Sequence, residues 1–193
     1  MSETPPLHLA VALDGAGWHP AAWRAPDARP EALFTAPYWL DLVREAERGL
    51  LDFVTIEDSL GPQSSVFDQS DDRTDQVRGR LDAVLIAARV APLTRHIGLV
   101  PTGVVTHTEP FHLAKAIATL DYVSTGRAGW RPQISPRADE AAHFGRRDTL
   151  ADLFAEAADY AEVVRRLWDS WEDDAEIRDA ATGRFVEDRK SVV

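Results

Sequence analysis

The sequence of 193 residues contains no cysteine. Disulfide bonds and thiolate metal sites are therefore excluded, and a reducing, cytoplasmic location is expected. No apolar run reaches the roughly 18 residues of a membrane span, and the first ten residues lack a signal-peptide pattern. The formal net charge of −11 disfavours nucleic acid and anionic membrane surfaces as partners, because both attract basic proteins.

Several catalytic and binding motifs are also missing. The first predicted strand is not followed by a full Gly-x-Gly-x-x-Gly, and neither a Gly-Lys-Ser/Thr phosphate loop nor a Gly-x-Ser-x-Gly elbow occurs. The six histidines are scattered, and the spacing of His107 and His112 matches no strong metal-ligand pattern. A dinucleotide site is therefore weakly supported, and no metal site is expected.

Strand and helix patterns do alternate four times along the chain. The strands are apolar enough to be covered on both faces, which predicts a parallel sheet with right-handed crossovers. Two α/β architectures remain open: a doubly wound sheet, or a (β/α)8 barrel of which four units make half. The predicted strands are 7–13, 52–56, 96–100 and 127–134, and the predicted helices are 37–48, 79–90, 110–121 and 148–171.

Polar and aromatic residues gather where these strands end. The carboxyl ends of parallel strands meet at one edge of a sheet, where α/β proteins hold their ligands. The segments that meet there are 14–23, 57–59, 102–106 and 130–135. Their mixture of rings, hydroxyls, carboxylates and one arginine suits a planar, polar-edged ligand with a phosphate.

Four blocks carry a family resemblance: AWRAPDARP at 22–30, AERGLLDFVTIEDS at 46–59, IGLVPTGVVTHTEPFHLAKAIATLDYVSTGRAGW at 97–130, and LWDSWEDDA at 167–175. They resemble the bacterial luciferase-like, flavin-dependent monooxygenases, nearest the nitrilotriacetate and dibenzothiophene-sulfone monooxygenase branch. The resemblance implies a (β/α)8 TIM barrel that binds reduced FMN, or F420 as the alternative. It also implies dioxygen, a small organic substrate, and a separate flavin reductase.

The resemblance also implies a set of site residues. Carried over by position, the residues near the flavin are Asp58, Thr102, Thr106, Trp130, Arg131 and Ser135. His19 follows the first strand and is a candidate catalytic acid, because a histidine titrates near neutral pH; an ordinary surface histidine is the alternative.

Two departures from the family pattern bear on this site. Arg131 stands where relatives keep an asparagine, and its charged fork either stabilises an anionic reduced flavin or fills the pocket. Leu153 and Phe154 stand where relatives carry an Arg-Tyr pair whose tyrosine helps to hold the flavin phosphate.

Family members run to about twice this length. We therefore expect an N-terminal half-barrel domain at 1–175 and a charged, poorly ordered C-terminal tail at 176–193. Open strand edges predict a homodimer or larger homo-oligomer. Two functions remain open: a flavin-dependent monooxygenase-like enzyme, or a catalytically inactive truncated barrel that binds flavin or has a structural, oligomerising role.

Overall fold

The computed structural model describes residues 6–145 and 152–190. Four parallel strands form one sheet in the order β1-β2-β3-β4, and helices cover one of its faces. The elements are β1 (Ala10–Leu13), α1 (Ala36–Arg48), β2 (Phe53–Ile56), α2 (Ala83–Val90), β3 (Gly98–Val104), α3 (Pro110–Ser124), β4 (Arg131–Gln133), α4 (Ala138–His143), α5 (Leu153–Trp168), β5 (Glu176–Asp179) and β6 (Arg184–Val186).

The strand order decides between the two architectures. A doubly wound sheet reverses its strand order near the first strand, whereas a barrel adds each new strand beside the last. The sequential order found here is that of a barrel, and the sheet forms a partial barrel of four strands. The prediction of an N-terminal half-barrel is confirmed, and the doubly wound alternative is wrong.

The main hydrophobic core lies between the sheet and α1 and α2. Val54, Ile56 and Leu99 point from the strands into this layer and are at most 1% exposed. A second cluster, behind β3 and β4, joins Val105 to Tyr160 and packs against α3 and α5. Burial on this helix-covered side therefore holds the four strands together.

Helix α2 buries a different face from the one its periodicity suggested. The spacing of Leu81, Val84, Leu85 and Ala88 predicts that these four residues share the buried face. Leu85 is instead 69% exposed, while Ile86 and Val90 are buried. Nearly every residue of AVLIAARV is apolar, so periodicity could not choose the face. The helix begins at Ala83 rather than residue 79, because the Asp82 side chain caps it by accepting a hydrogen bond from the Leu85 N–H at 2.8 Å.

Other boundaries differ where proline and glycine suggested loops. β3 continues through Pro101 and Gly103, beyond the predicted end at residue 100, and β4 is limited to three residues with an isolated bridge at Ala128. The short helix α4 was not predicted. The expected helix 148–171 is present as α5, and its predicted first residues, 148–151, lie outside the described part of the chain.

The C-terminal segment is folded where it is described. The expectation of a poorly ordered tail is wrong for residues 176–190, because β5 and β6 pair as an antiparallel hairpin. Ala175 is fully buried at its base, and its carbonyl accepts a hydrogen bond from the Glu187 N–H at 2.8 Å. The boundary between domain and tail at residue 175 stays a prediction. Within the described ranges, no helix has the length and apolar character needed to cross a membrane.

Candidate functional site

Three polar side chains lie in one row across neighbouring strands. Thr102 pairs with Arg131 in the sheet register. Ile56 pairs with Pro101, so the residues that follow them, Glu57 and Thr102, also lie at the same level. Side chains alternate between the two faces of a strand, so this row faces away from the helices. We call this side of β1–β4 the inner face, and the row marks its carboxyl end.

An ion pair crosses the inner face at this level. Both terminal nitrogens of the Arg131 guanidinium donate to the Glu57 carboxylate, and the Nη2–Oε2 distance is 2.9 Å. Nη2 also donates to Oε1 of Gln133 at 2.9 Å, and the Gln133 amide donates to the Asp58 carbonyl at 3.2 Å. β4 is thereby tied to the end of β2, across the intervening β3.

Thr102 lies beneath this ion pair with its hydroxyl unused. The residue is 1% exposed, and within the described residues its Oγ1 has no hydrogen-bond partner. Thr55 Oγ1, on the same face of β2, is likewise buried without a described partner. A buried hydroxyl without a partner costs about 1–3 kcal/mol. Two such groups on one face fit a ligand that brings polar atoms to the sheet.

The other hydroxyl residues predicted for the site are engaged with the protein. The Ser135 N–H donates to Thr106 Oγ1 at 3.0 Å, which ties the segment after β4 to the segment after β3. Both residues are at most 5% exposed. Their contacts with a flavin stay predictions, and their observed contacts shape the rim of the inner face.

Asp58 holds the start of α2. Its carboxylate accepts hydrogen bonds from the Ala83 N–H at 2.9 Å and from the Ser59 N–H at 2.7 Å. Burial raises the pKa of Asp58 above its ordinary value, although these two hydrogen bonds act in the opposite direction. Its predicted flavin contact remains a prediction, and the observed role is to connect the end of β2 to α2.

Trp130 lies on the helix-covered side of the sheet. Its ring packs 6.0 Å from Tyr160 and 6.4 Å from Trp168, measured between ring centroids. Gly103 permits this placement, since a Cβ there would lie 2.7 Å from Trp130 Nε1. The indole therefore supports β3 and β4 from behind, and its predicted place among the residues near the flavin stays a prediction.

His19 lies in a separate cleft of about 150 Å3 next to the end of β1. The Ala21 N–H donates to its Nδ1 at 3.1 Å, so the neutral ring carries its proton on Nε2. Asp14 and Arg80 line the same cleft and form a two-point ion pair, with contacts of 2.9 and 3.1 Å. The assignment of His19 as a catalytic acid stays a prediction.

Sequence reasoning missed two members of this edge. Arg80 comes from the segment before α2, which was assigned to a helix, so nothing in the pattern placed it beside Asp14. Glu57 belongs to the segment 57–59 that the sequence places at this edge, but it is not among the predicted site residues. An arginine within the fourth strand and a glutamate directly after the second strand are the signal that could have paired Arg131 with Glu57.

The arginines at this edge limit how a phosphate could be held. Arg80 is paired with Asp14, Arg131 with Glu57, and Arg137 with Asp139. The described residues thus offer hydroxyls for a flavin ring, while each of these three cations already has a carboxylate. The donor set fits the ring end of a flavin better than its phosphate end.

The half-barrel and its polar carboxyl-end row define the class of protein as a partial β/α-barrel with a polar row at its strand ends. The chain matches the family described as luciferase-like monooxygenase over residues 16–191, and it belongs to that family. The resemblance found in the sequence is confirmed.

Three characterised relatives show the extent of the match. The chain is 36% identical over 192 residues to nitrilotriacetate monooxygenase component A of Aminobacter aminovorans, covering 96% of this chain and 42% of the relative. It is 37% identical to N-acetyl-S-(2-succino)cysteine monooxygenase of Bacillus subtilis (strain 168), covering 98% and 42%. For dibenzothiophene-sulfone monooxygenase of Rhodococcus erythropolis (strain XP), the values are 32%, 98% and 43%. The chain spans less than half the length of these relatives.

Two solved structures also match nearly all of this chain over less than half of their own length. The long-chain alkane monooxygenase LadA superposes with a TM-score of 0.83 at 25% identity, covering 97% of this chain and 45% of that one. DmoA from Hyphomicrobium sulfonivorans superposes with a TM-score of 0.80 at 30% identity, covering 96% and 41%.

Proposed function

We propose that the chain binds reduced FMN on its inner face and supplies the flavin-binding part of a monooxygenase that acts with dioxygen on a small organic substrate. The observation that carries this proposal is the buried, unpartnered hydroxyl of Thr102 at the carboxyl end of the sheet. Family membership supports the reaction class. Reduced flavin, when bound, would supply the electrons that activate dioxygen.

The chain's own residues would bind and orient the ring. Thr102 and Thr55 would donate or accept hydrogen bonds at its polar edge, where their hydroxyls have no described partner. Trp130 would support the strands from the helix side. The apolar layer behind the sheet would keep water from that side, which strengthens the polar contacts on the inner face.

His19 is proposed as a proton donor at the rim. Nδ1 accepts the Ala21 N–H in the neutral ring, so His19 would first have to take up a second proton; the imidazolium could then donate a proton and return to the neutral ring. Its neighbours Asp14 and Arg80 are paired with each other and hold the end of β1 in place.

We also propose partners for the chain. The relative named nitrilotriacetate monooxygenase component A is by its name one component of a larger system, which supports a separate flavin reductase here. β1 and β4 are the edge strands of the four-stranded sheet, and unpaired strand edges favour association. We therefore propose a homodimer, located in the cytoplasm. Light scattering that gives a monomer at micromolar concentration would contradict the dimer.

A second candidate is flavin binding without turnover. It is favoured by the three edge arginines, each of which is paired with a carboxylate of this chain in the structure. A turnover assay separates the two candidates. Flavin reductase, NADH and nitrilotriacetate as probe substrate are added, and loss of nitrilotriacetate above the no-protein rate supports the enzyme. FMN binding without such loss across a panel of organic probes supports the second candidate.

The test of the proposal itself is a flavin titration of the full chain. FMN is titrated in its oxidised form and, anaerobically, in its reduced form, with F420 in a parallel series. We expect a perturbed flavin spectrum and a dissociation constant below about 100 µM for reduced FMN. Thr102→Val should weaken binding about fivefold through the lost hydrogen bond, whereas Thr102→Ser should retain it. No binding at that concentration contradicts the proposal.

A further inference from the structure

The Glu57–Arg131 pair covers Thr102. Glu57 follows β2 and Arg131 is in β4, so the pair spans β3. Adjacent strands lie about 4.8 Å apart, and the contact therefore bridges roughly 10 Å of the inner face. Thr102 lies midway along this span at the same level. This placement explains why its hydroxyl is almost fully shielded although it lies at the end of the sheet that should receive a ligand.

The two side chains of the Glu57–Arg131 pair differ in their exposure to solvent. The Glu57 side chain is 7% exposed, whereas the Arg131 side chain is 38% exposed. The Arg131 side chain is therefore open to solvent, whereas the Glu57 side chain contacts it from the buried side of the pair. The closed arrangement satisfies Arg131, and it leaves Thr102 without a partner among the residues that the structure describes. A ligand that takes the fork and also reaches Thr102 would satisfy both.

We propose that Glu57 is an exchangeable internal occupant of an anion site at Arg131. A small ligand that presents two anionic acceptor atoms side by side displaces the Glu57 carboxylate and uncovers the Thr102 hydroxyl. A carboxylate on the organic substrate has this chemistry, and so does the anionic edge of reduced FMN. The second source rests on the proposed function; the anion site itself does not.

The exchange sets the affinity that a binding experiment measures. If the pair is closed in most molecules, the apparent affinity falls in proportion to the fraction in which Arg131 is open. Removing the Glu57 charge should therefore tighten anion binding, and removing Arg131 should abolish the gain. The neighbouring ion pair of Asp14 with Arg80 adds no net charge to this balance.

The experiment measures malonate binding by calorimetry to the full chain and to Glu57→Gln, Arg131→Gln and the double variant. We expect Glu57→Gln to bind malonate about tenfold more tightly than the wild type. Arg131→Gln and the double variant should show no such gain. The control is Glu162→Gln, which removes the carboxylate of an exposed ion pair with Arg166 on α5 and should leave malonate binding unchanged. An unchanged affinity in Glu57→Gln, or an equal gain in the double variant, overturns the proposal.

Two further measurements keep the outcome clear. Arg131→Gln leaves a buried carboxylate unpaired and is at risk of unfolding, so the NMR signal of the Arg131 Nε–H is also followed in the wild type during the malonate titration. A saturable shift supports exchange, and no shift contradicts it.

The same variants are then titrated with oxidised and reduced FMN. A gain for malonate without one for FMN identifies a substrate carboxylate as the ligand, and a gain for both malonate and reduced FMN identifies the flavin edge as a ligand of the same site. A malonate gain with no FMN binding supports this site while contradicting the proposed function.

Discussion

The two faces of the four-stranded sheet differ in how completely their side chains are satisfied. On the helix-covered side, Val54, Ile56 and Leu99 are buried among apolar neighbours. On the inner face, a salt bridge lies over Thr102, whose buried hydroxyl has no described partner. The helix side holds the fold together by apolar packing, although Trp130 Nε1 is buried there without a described partner. The inner face has more unused hydrogen-bonding capacity, in the hydroxyls of Thr55 and Thr102. That unused capacity is the best indication of where a ligand binds.

The largest loss of stability should come from shortening a buried side chain on the helix-covered side of the sheet. Leu99 is fully buried, so Leu99→Ala removes well-packed methyl groups and leaves a cavity. We expect a loss of about 3 kcal/mol in the free energy of unfolding, measured by urea denaturation. Leu85→Ala is the control, because that side chain is 69% exposed, and it should stay within about 0.5 kcal/mol of the wild type. Equal losses in both variants would contradict the assigned core.

The next largest effect should come from the inner-face ion pair, and it should be asymmetric. Arg131→Gln leaves the Glu57 carboxylate, which is 7% exposed, without its cation. We expect a loss of about 2 kcal/mol, below the usual cost of breaking a buried pair because Arg131 is partly exposed. Glu57→Gln leaves an arginine that water can reach, and it should cost less than about 1 kcal/mol. Thermal and urea unfolding measure both, and the reverse order would show that Glu57 is not the buried partner.

A smaller effect should separate two threonines that are both 1% exposed. Thr106 accepts the Ser135 N–H, so Thr106→Val should cost about 1 kcal/mol of unfolding free energy. Thr102 has no described partner to lose, so Thr102→Val should be neutral or stabilising by up to about 1 kcal/mol. Urea denaturation without ligand checks this difference. A clear loss in Thr102→Val would mean that its hydroxyl is already satisfied.

The smallest effect should be in the pH dependence of two carboxyls. Burial raises the pKa of Asp58, so its contribution to stability is favourable at low pH and is lost as the pH rises from 3.8 through the raised value. Burial also acts to raise the pKa of Glu47, but hydrogen bonds from the N–H groups of His96, Arg95 and Ile97 outweigh it, and the pKa lies below 4.5. The contribution of Glu47 is therefore present above pH 4.5 and is lost as the pH falls through the lowered value.

Two variants make these opposite signs measurable. The melting temperature of Asp58→Asn should improve relative to the wild type as the pH rises above 3.8. The deficit of Glu47→Gln should shrink as the pH falls below 4.5. Both are followed by circular dichroism in buffers of matched ionic strength. For each variant the difference in melting temperature from the wild type is plotted against pH. Two differences that change in the same direction as the pH rises would contradict the assigned directions.

The sequence predicted the helix side of this comparison better than the inner face. Apolar runs such as FVTI and the alternation of strands with helices were sufficient for the half-barrel and for the order of its elements. They were insufficient for the buried face of a helix that is apolar all round and for the end of a strand that contains proline and glycine. Helix α2 is apolar all round, so its buried face depended on the Asp82 cap and on packing. β3 was shortened because Pro101 and Gly103 are typical of loops.

Several residues of the candidate site were predictable from the sequence, but their contacts with one another were not. Thr102 and Arg131 were singled out, but nothing in the spacing could show that they are register partners. The partner of Arg131 proved to be Glu57, which lies 74 positions away in the sequence. Trp130, adjacent to Arg131, points to the opposite face because strand residues alternate, and it packs against α5.

A crystal structure of the full chain with FMN bound tests the central claim most directly. The account predicts the flavin ring on the inner face, with Thr102 Oγ1 within hydrogen-bonding distance, about 2.7–3.2 Å, of a polar ring atom. It predicts that the Glu57 carboxylate has left the Arg131 fork. A flavin bound elsewhere, or bound on this face with the Glu57–Arg131 pair closed over Thr102, would contradict the account.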